Sequence, residues 1–315
     1  MEEQMNRPVS QPVRRKLRAR TFLVPLLFIG LHWLVINVVA TVYMLVYLLI
    51  SQFSLSPDIL EQFSDVEMLT RLMYEQYPII SVLYALVLIP VYLFYLIVRR
   101  RRNSLALLTA PPVSIYLWPS IAVIIGAMGL TNLWFMLLTR LAESSGWLDR
   151  MLTSYAEESQ AFSTDSGYIW LTLGIVIMAP VAEELLFRGI IQGELRQVMP
   201  EWLAVVIQAL LFAAFHMQPV QITYVIIPGL LLGFAYAWSG SIYIPIIMHI
   251  IFNFLGSIVP SLVADQETAS MIVSLSEIAF VLVGALALAY MYMRRRRSAA
   301  FPVIDSQEVA TYDQV

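Results

Sequence analysis

The reading turns on Met178-Ala179-Pro180-Val181-Ala182-Glu183-Glu184-Leu185-Leu186-Phe187-Arg188-Gly189. Two adjacent carboxylates and an arginine stand at the end of a run that is apolar from Tyr168 onward. An Asp, Lys or Arg at the centre of a membrane helix costs about 2.5–3.5 kcal/mol, so such groups persist mainly where pairing or function requires them. On a helix Glu184 and Arg188 are i,i+4 neighbours with the acid nearer the amino end, the favourable order. Glu183 points about 100° away from Glu184 and has no helical partner. Pro180 removes a backbone donor just before the acids, which loosens the helix there and frees the Val176 carbonyl or admits a water.

A bilayer as solvent follows from the rest of the 315 residues. Apolar residues make up 59% and charged residues 13%, against about 45–50% and 25% in soluble domains, and mean hydropathy is +0.75. These values exclude disorder, and a net charge of -3 gives no nucleic-acid footprint. The chain has no cysteine, so neither a disulfide framework nor thiolate chemistry is available.

Eight apolar runs approach the roughly 20 residues that a spanning helix needs. They are Thr21–Ile50, Tyr77–Val98, Val113–Thr139, Tyr168–Ala182, Trp202–His216, Val220–Trp238, Ile242–Leu262 and Met271–Met293. The expected fold is an all-α, multi-pass membrane helix bundle of about eight transmembrane helices with both termini cytoplasmic. In that orientation sixteen of the nineteen basic residues fall on the cytoplasmic side, among them the runs Arg99–Arg102 and Arg294–Arg297, as the positive-inside rule requires. The layout is a basic cytoplasmic segment at 1–20, transmembrane helices at 21–139, a core at 168–260, a last span at 271–293 and a polar cytoplasmic tail at 294–315. The two longer outer loops are acidic, with room for short surface helices. Membrane lipids are the expected surroundings, in a bacterial cell membrane or an endomembrane.

Other polar intruders are His216, and His249 with Asn253, the latter two i,i+4 on one face. His32 stands alone and reads as a hydrogen-bonded or interfacial histidine. An acid, two imidazoles and an amide from three helices suit the activation of water. Glu183 is the candidate general base, and an imidazole and the amide can donate to an oxyanion. A zinc ion held by Glu183, His216 and His249 is the alternative, since catalytic zinc takes three protein ligands and a water. Gly229 and Gly233 are spaced for close helix packing.

Glu183-Glu184-x-x-x-Arg188, Phe212-x-x-x-His216 and His249-x-x-x-Asn253, in this order, resemble the CPBP family of intramembrane proteases. That family includes type II CAAX prenyl endopeptidases and bacteriocin-processing or immunity proteins. The resemblance covers about Tyr168–Val259. It implies cleavage of a membrane-associated or lipidated peptide or protein, with Glu183 and His216 activating water, His249 and Asn253 stabilising the oxyanion, and Glu184 and Arg188 holding the site. Both a metal-dependent and a metal-free glutamate mechanism belong to the family. A non-catalytic immunity or scaffold protein of the same fold is the alternative reading, and a proton-coupled transporter a further one.

Depth poses a difficulty. At 1.5 Å per residue, Glu183 would lie about 8 Å from the inner face, His249 about 10 Å, Asn253 about 16 Å and His216 about 21 Å. The fifth run is too short to span, and Gln218-Pro219 follows it. It is therefore expected to start near Glu201 in the inner aqueous layer and to turn inside the protein, which would bring His216 to the level of the others.

Overall fold

The computed structural model describes residues 19–52, 66–103, 114–161 and 167–295. Most of the basic segment at 1–20 and of the tail at 294–315 lies outside these residues.

Among the described residues nine helices follow one another: α1 (Arg20–Gln52), α2 (Val66–Asn103), α3 (Ser114–Ala142), α4 (Gly146–Ala161), α5 (Tyr168–Leu195), α6 (Glu201–Phe215), α7 (Pro219–Ser239), α8 (Tyr243–Val263) and α9 (Glu267–Arg294). Among the described residues seven of them, all but α4 and α6, are long and apolar enough to cross a membrane. The chain is thus an integral, multi-pass membrane protein. The eighth apolar run is α6, with 15 residues, and it begins at Glu201 as expected. α4 is a short helix in the second acidic loop.

α5 and α7 are half buried and central, whereas α1 and α9 lie at the periphery with 11% of their apolar windows buried. Leu282 and Leu286 of α9 expose about three quarters of their surface, as a lipid-facing helix does. α9 is nevertheless fixed on α3, where Gly126 and Gly129 let the backbones of Phe280 and Glu277 come close. α2 and α5 are fixed similarly: a Cβ on Gly174 would collide with the carbonyl oxygen of Pro78.

One end of the bundle gathers the starts of α1, α3 and α6 and the ends of α2, α5, α7 and α9. Phe28 of α1 packs on Tyr95 of α2, ring centroids 4.7 Å apart. The Tyr95 hydroxyl donates to Glu194 Oε1 of α5 at 2.7 Å. Arg196 pairs with Glu201 at 2.8 Å and lies over the Tyr236 ring of α7. Trp238 meets Tyr292 of α9, and Tyr116 of α3 donates to the Arg294 carbonyl at 2.6 Å. We call this the arginine end, because the helix termini that carry the basic runs meet there.

α5 is not a uniform α-helix. Thr172–Met178 and Leu185–Gln192 are π-helical, on either side of the α-helical Ala179–Glu184. α5 also runs on past Arg188 to Leu195, so that Glu183 lies about 18 Å from the arginine end of the helix at 1.5 Å per residue. The 8 Å depth expected from the shorter run is corrected accordingly. α6 ends inside the bundle in a tight turn. Met217 adopts φ 56°, the Gln218 N–H donates to the His216 carbonyl at 2.7 Å, and the Gln218 side chain caps α7 by accepting from the Gln221 N–H at 3.0 Å.

Gly174→Ala should lower the thermal midpoint of the detergent-solubilised protein, by an overpacking cost of about 1–3 kcal/mol. Gly30→Ala, with no atom within 4 Å of the added carbon, should leave the midpoint unchanged or raise it. Equal midpoints for the two variants would contradict the α2–α5 backbone contact.

Candidate functional site

The α-helical stretch of α5 presents Glu183 and Glu184 to different surroundings. Glu184 is fully buried. Its Oε1 accepts from Arg188 Nη1 at 2.7 Å and from His249 Nδ1 of α8 at 2.8 Å. The expected Glu184–Arg188 pair is therefore present, with 0% side-chain exposure on both sides. Desolvating two ions costs several kcal/mol each, which only good geometry and further hydrogen bonds offset. Arg188 has such bonds. Its Nη2 donates to the Gly229 carbonyl of α7 at 3.0 Å, and its guanidinium stacks 4.6 Å from the centroid of Phe212.

This contact explains the glycine pair. One helical turn further along α5 from Arg188, Gln192 donates to the Gly233 carbonyl at 3.1 Å. Gln208 of α6 donates to the Gly229 carbonyl, also at 3.1 Å. A Cβ on Gly233 would sit 2.5 Å from Gln208 Nε2 and 2.9 Å from Val205. The two glycines let buried polar side chains reach the α7 backbone, in line with the packing role read from their spacing.

Glu183 faces a cavity of about 1430 Å³, which it lines together with His216, His249 and Asn253. Glu183 Oε2 lies 3.8 Å from His249 Nε2, too far for a direct hydrogen bond. His249 thus stands between two carboxylates, its Nδ1 held by Glu184 and its Nε2 turned to Glu183. His216 reaches the same cavity because α6 stops within the bundle. Its Nδ1 donates to the Phe212 carbonyl at 2.8 Å, leaving Nε2 as the ring nitrogen without that bond. The ring of Phe212 lies edge-on to both histidines, centroids 4.9 and 5.6 Å away.

Asn253 is engaged with α5. Its Nδ2 donates to the Ile175 carbonyl at 2.8 Å. The π-helical register explains why that oxygen is free. The Ala179 N–H donates five residues back, to the Gly174 carbonyl, so in the same register the Ile175 carbonyl would be met by residue 180. Pro180 has no N–H. The carbonyl released by the proline is therefore that of Ile175, not of Val176 as an α-helical count gives.

Glu183, His216, His249 and Asn253 accordingly line one cavity, and Glu184 and Arg188 lie buried behind it, bonded to each other and, through Glu184, to His249. Among the described residues, however, no group of three or more His, Cys, Asp or Glu side chains is arranged to hold a metal ion. His249 Nδ1 is bonded to Glu184 and His216 Nδ1 to the Phe212 carbonyl, the outer bond that metal-ligating histidines commonly make, so each ring keeps its Nε2 for another partner.

His32 differs from its sequence reading. It is fully buried, its ring 5.0 Å from Phe215 and 5.5 Å from Tyr84, and neither ring nitrogen has a hydrogen-bond partner. Several polar residues escaped notice in the sequence. Tyr77 and Tyr84 of α2 line the cavity within Coulombic reach of Glu183; their i,i+7 spacing on one face of an apolar helix was the available signal. Glu277, inside the last apolar run, is buried and accepts from Asn132 Nδ2 at 2.7 Å. A carboxylate in that run was there to be seen.

Fold and site together define a polytopic membrane protein with a carboxylate–imidazole cluster set within its spans. Residues 165–255 match the family model described as type II CAAX prenyl endopeptidase Rce1-like. This is the stretch that carries the three motifs, and the match bears out the resemblance to the CPBP family for α5 through most of α8. Comparison with curated proteins and with solved structures gave no match.

Arg188→Ala leaves the Glu184 carboxylate buried without its partner and should cost about 3–5 kcal/mol. Arg188→Lys should recover little of that, because one ammonium cannot serve both Glu184 and the Gly229 carbonyl in the geometry of the guanidinium fork. Thermal unfolding in detergent measures both, and a wild-type midpoint for Arg188→Lys would contradict the bidentate role.

Proposed function

We propose that the protein is an intramembrane endopeptidase, similar to the CAAX proteases, that hydrolyses a peptide bond of a membrane-associated substrate with water activated by Glu183. The observation that carries this reading is the position of Glu183 and His249. Their facing atoms are 3.8 Å apart on a cavity wall, a gap that one water can bridge by hydrogen bonds to both.

In this scheme Glu183 takes a proton from the water while the oxygen attacks the scissile carbonyl carbon. His216, fixed through Nδ1 by the Phe212 carbonyl, offers Nε2 to orient the same water. The developing oxyanion accepts from His249 Nε2, the ring being held between Glu184 and Glu183, and from the second amide hydrogen of Asn253, whose first is bound to Ile175. Such donors contribute about 10²–10³ in rate each. The proton on Glu183 then passes to the leaving nitrogen as the C–N bond breaks, giving a free carboxylate and amine. Arg188 acts through Glu184, and Glu184 through His249; both are positioning residues. No step uses a metal.

Comparative proteomics of membrane-protein termini from cells with the wild-type protein and with Glu183→Ala identifies a substrate. On that substrate Glu183→Gln should lower kcat/KM by about 10²–10⁴, as loss of a general base does. Asn253→Ala should lower kcat by about 10²–10³. Undiminished cleavage by purified Glu183→Gln protein would remove the scheme. Activity should also survive chelator treatment; loss that added zinc restores would replace this mechanism with a metal-dependent one.

A further inference from the structure

The cavity has a direction. Its walls come from Tyr74 to Tyr84 of α2, Tyr168 to Glu183 of α5, Pro219 to Leu232 of α7 and His249 onward in α8, and it is roofed by Trp147, Arg150 and Ser154 of α4. Every one of these stretches lies toward the end opposite the arginine end. Toward the arginine end the site is shut. Beneath Glu183 the α5 side chains Phe187, Ile190 and Ile191 are fully buried, as are Ala204 and Gln208 of α6 and Ile244 of α8. At the other end Trp147, Met217 and Tyr168 expose between 46% and 71% of their surface, and Ala264 and Asp265 are exposed.

We infer that the cavity opens to the non-cytoplasmic side of the membrane, and that its substrates are polypeptide segments displayed there rather than C-terminal peptides on the cytoplasmic leaflet. Basic residues flanking spans are retained on the cytoplasmic side, and the helix termini bearing them form the closed end. A cytoplasmic peptide would have to pass a tightly packed layer to reach Glu183, whereas a segment on the opposite side enters directly beneath α4. The volume of 1430 Å³ exceeds the roughly 300–1,000 Å³ of small-molecule pockets and gives room for an extended chain. The substrate class rests on the proteolytic reading above; the side on which the cavity opens does not.

The absence of native cysteine makes each introduced cysteine a unique probe. Ser154→Cys at the roof, Ser257→Cys in the wall and Ser298→Cys after the last arginine run are expressed in a bacterial plasma membrane, each with and without Glu183→Ala. They are treated with a membrane-impermeant maleimide before and after permeabilisation. Cysteines at 154 and 257 should react in intact cells, and the one at 298 only after permeabilisation. In the terminal proteomics, peptides that depend on Glu183 should map to non-cytoplasmic segments of membrane or exported proteins. The reverse labelling pattern would overturn the inference and leave the protease reading intact. Expected labelling with Glu183-dependent termini in cytoplasmic segments would overturn the substrate class alone. Expected labelling without any Glu183-dependent terminus would remove the proteolytic reading and its substrate class, while supporting the side of opening.

Discussion

The structure depends on how the Glu184 carboxylate, buried in the middle of a membrane bundle, is held in place. Glu184 Oε1 receives one hydrogen bond from Arg188 of its own helix and one from His249 of another. Arg188 in turn ties α5 to the backbone of α7. Three helices are thus pinned at one point, and the orientation of the His249 ring follows from that pin. An ion pair in such surroundings contributes little net stability compared with apolar packing, so its use here is to fix geometry. Glu183, one residue away, makes no direct hydrogen bond to that network, its Oε2 lying 3.8 Å from His249 Nε2, and is turned into the cavity.

The backbone of α5 serves the same end. Two π-helical stretches bracket the six residues that contain both acids, and π turns are often found at functional sites. Ile175, Ala179 and Glu183 follow one another along the cavity wall, the first within a π-helical stretch and the other two in the α-helical one. Pro180 leaves one carbonyl without a backbone donor, and Asn253 supplies the missing one. A residue expected only as an oxyanion donor therefore also anchors α8 to α5.

Much of this was legible in the residues themselves. The cost of charge in hydrocarbon singled out Glu183, Glu184 and Arg188, and i,i+4 spacing paired the right two of them. The short run ending at Gln218-Pro219 indicated a helix that stops inside the protein, as α6 does. What spacing along one helix does not hold is the distance between helices. The bond from His249 to Glu184 rather than to solvent, and the bond from Asn253 to Ile175, depend on how α8 meets α5. Helix boundaries were also beyond reach: α5 continues past Arg188 because Arg188, Gln192 and Glu194 are all buried and bonded, so polar letters there mark a protein interior and not the membrane surface. Glu277 shows the same limit, a carboxylate absorbed by one asparagine on the neighbouring helix.

The contact of Gly174 with Pro78 carries a mechanical implication. Where two helices meet main chain to main chain, no side-chain rotation can widen the gap, and separating them would mean moving whole helices against their neighbours. The α2–α5 joint is for that reason a rigid wall. The rim is built differently where α4 covers it, for there the contact with α7 is made by side chains, the Tyr155 and Tyr224 hydroxyls lying 2.8 Å apart.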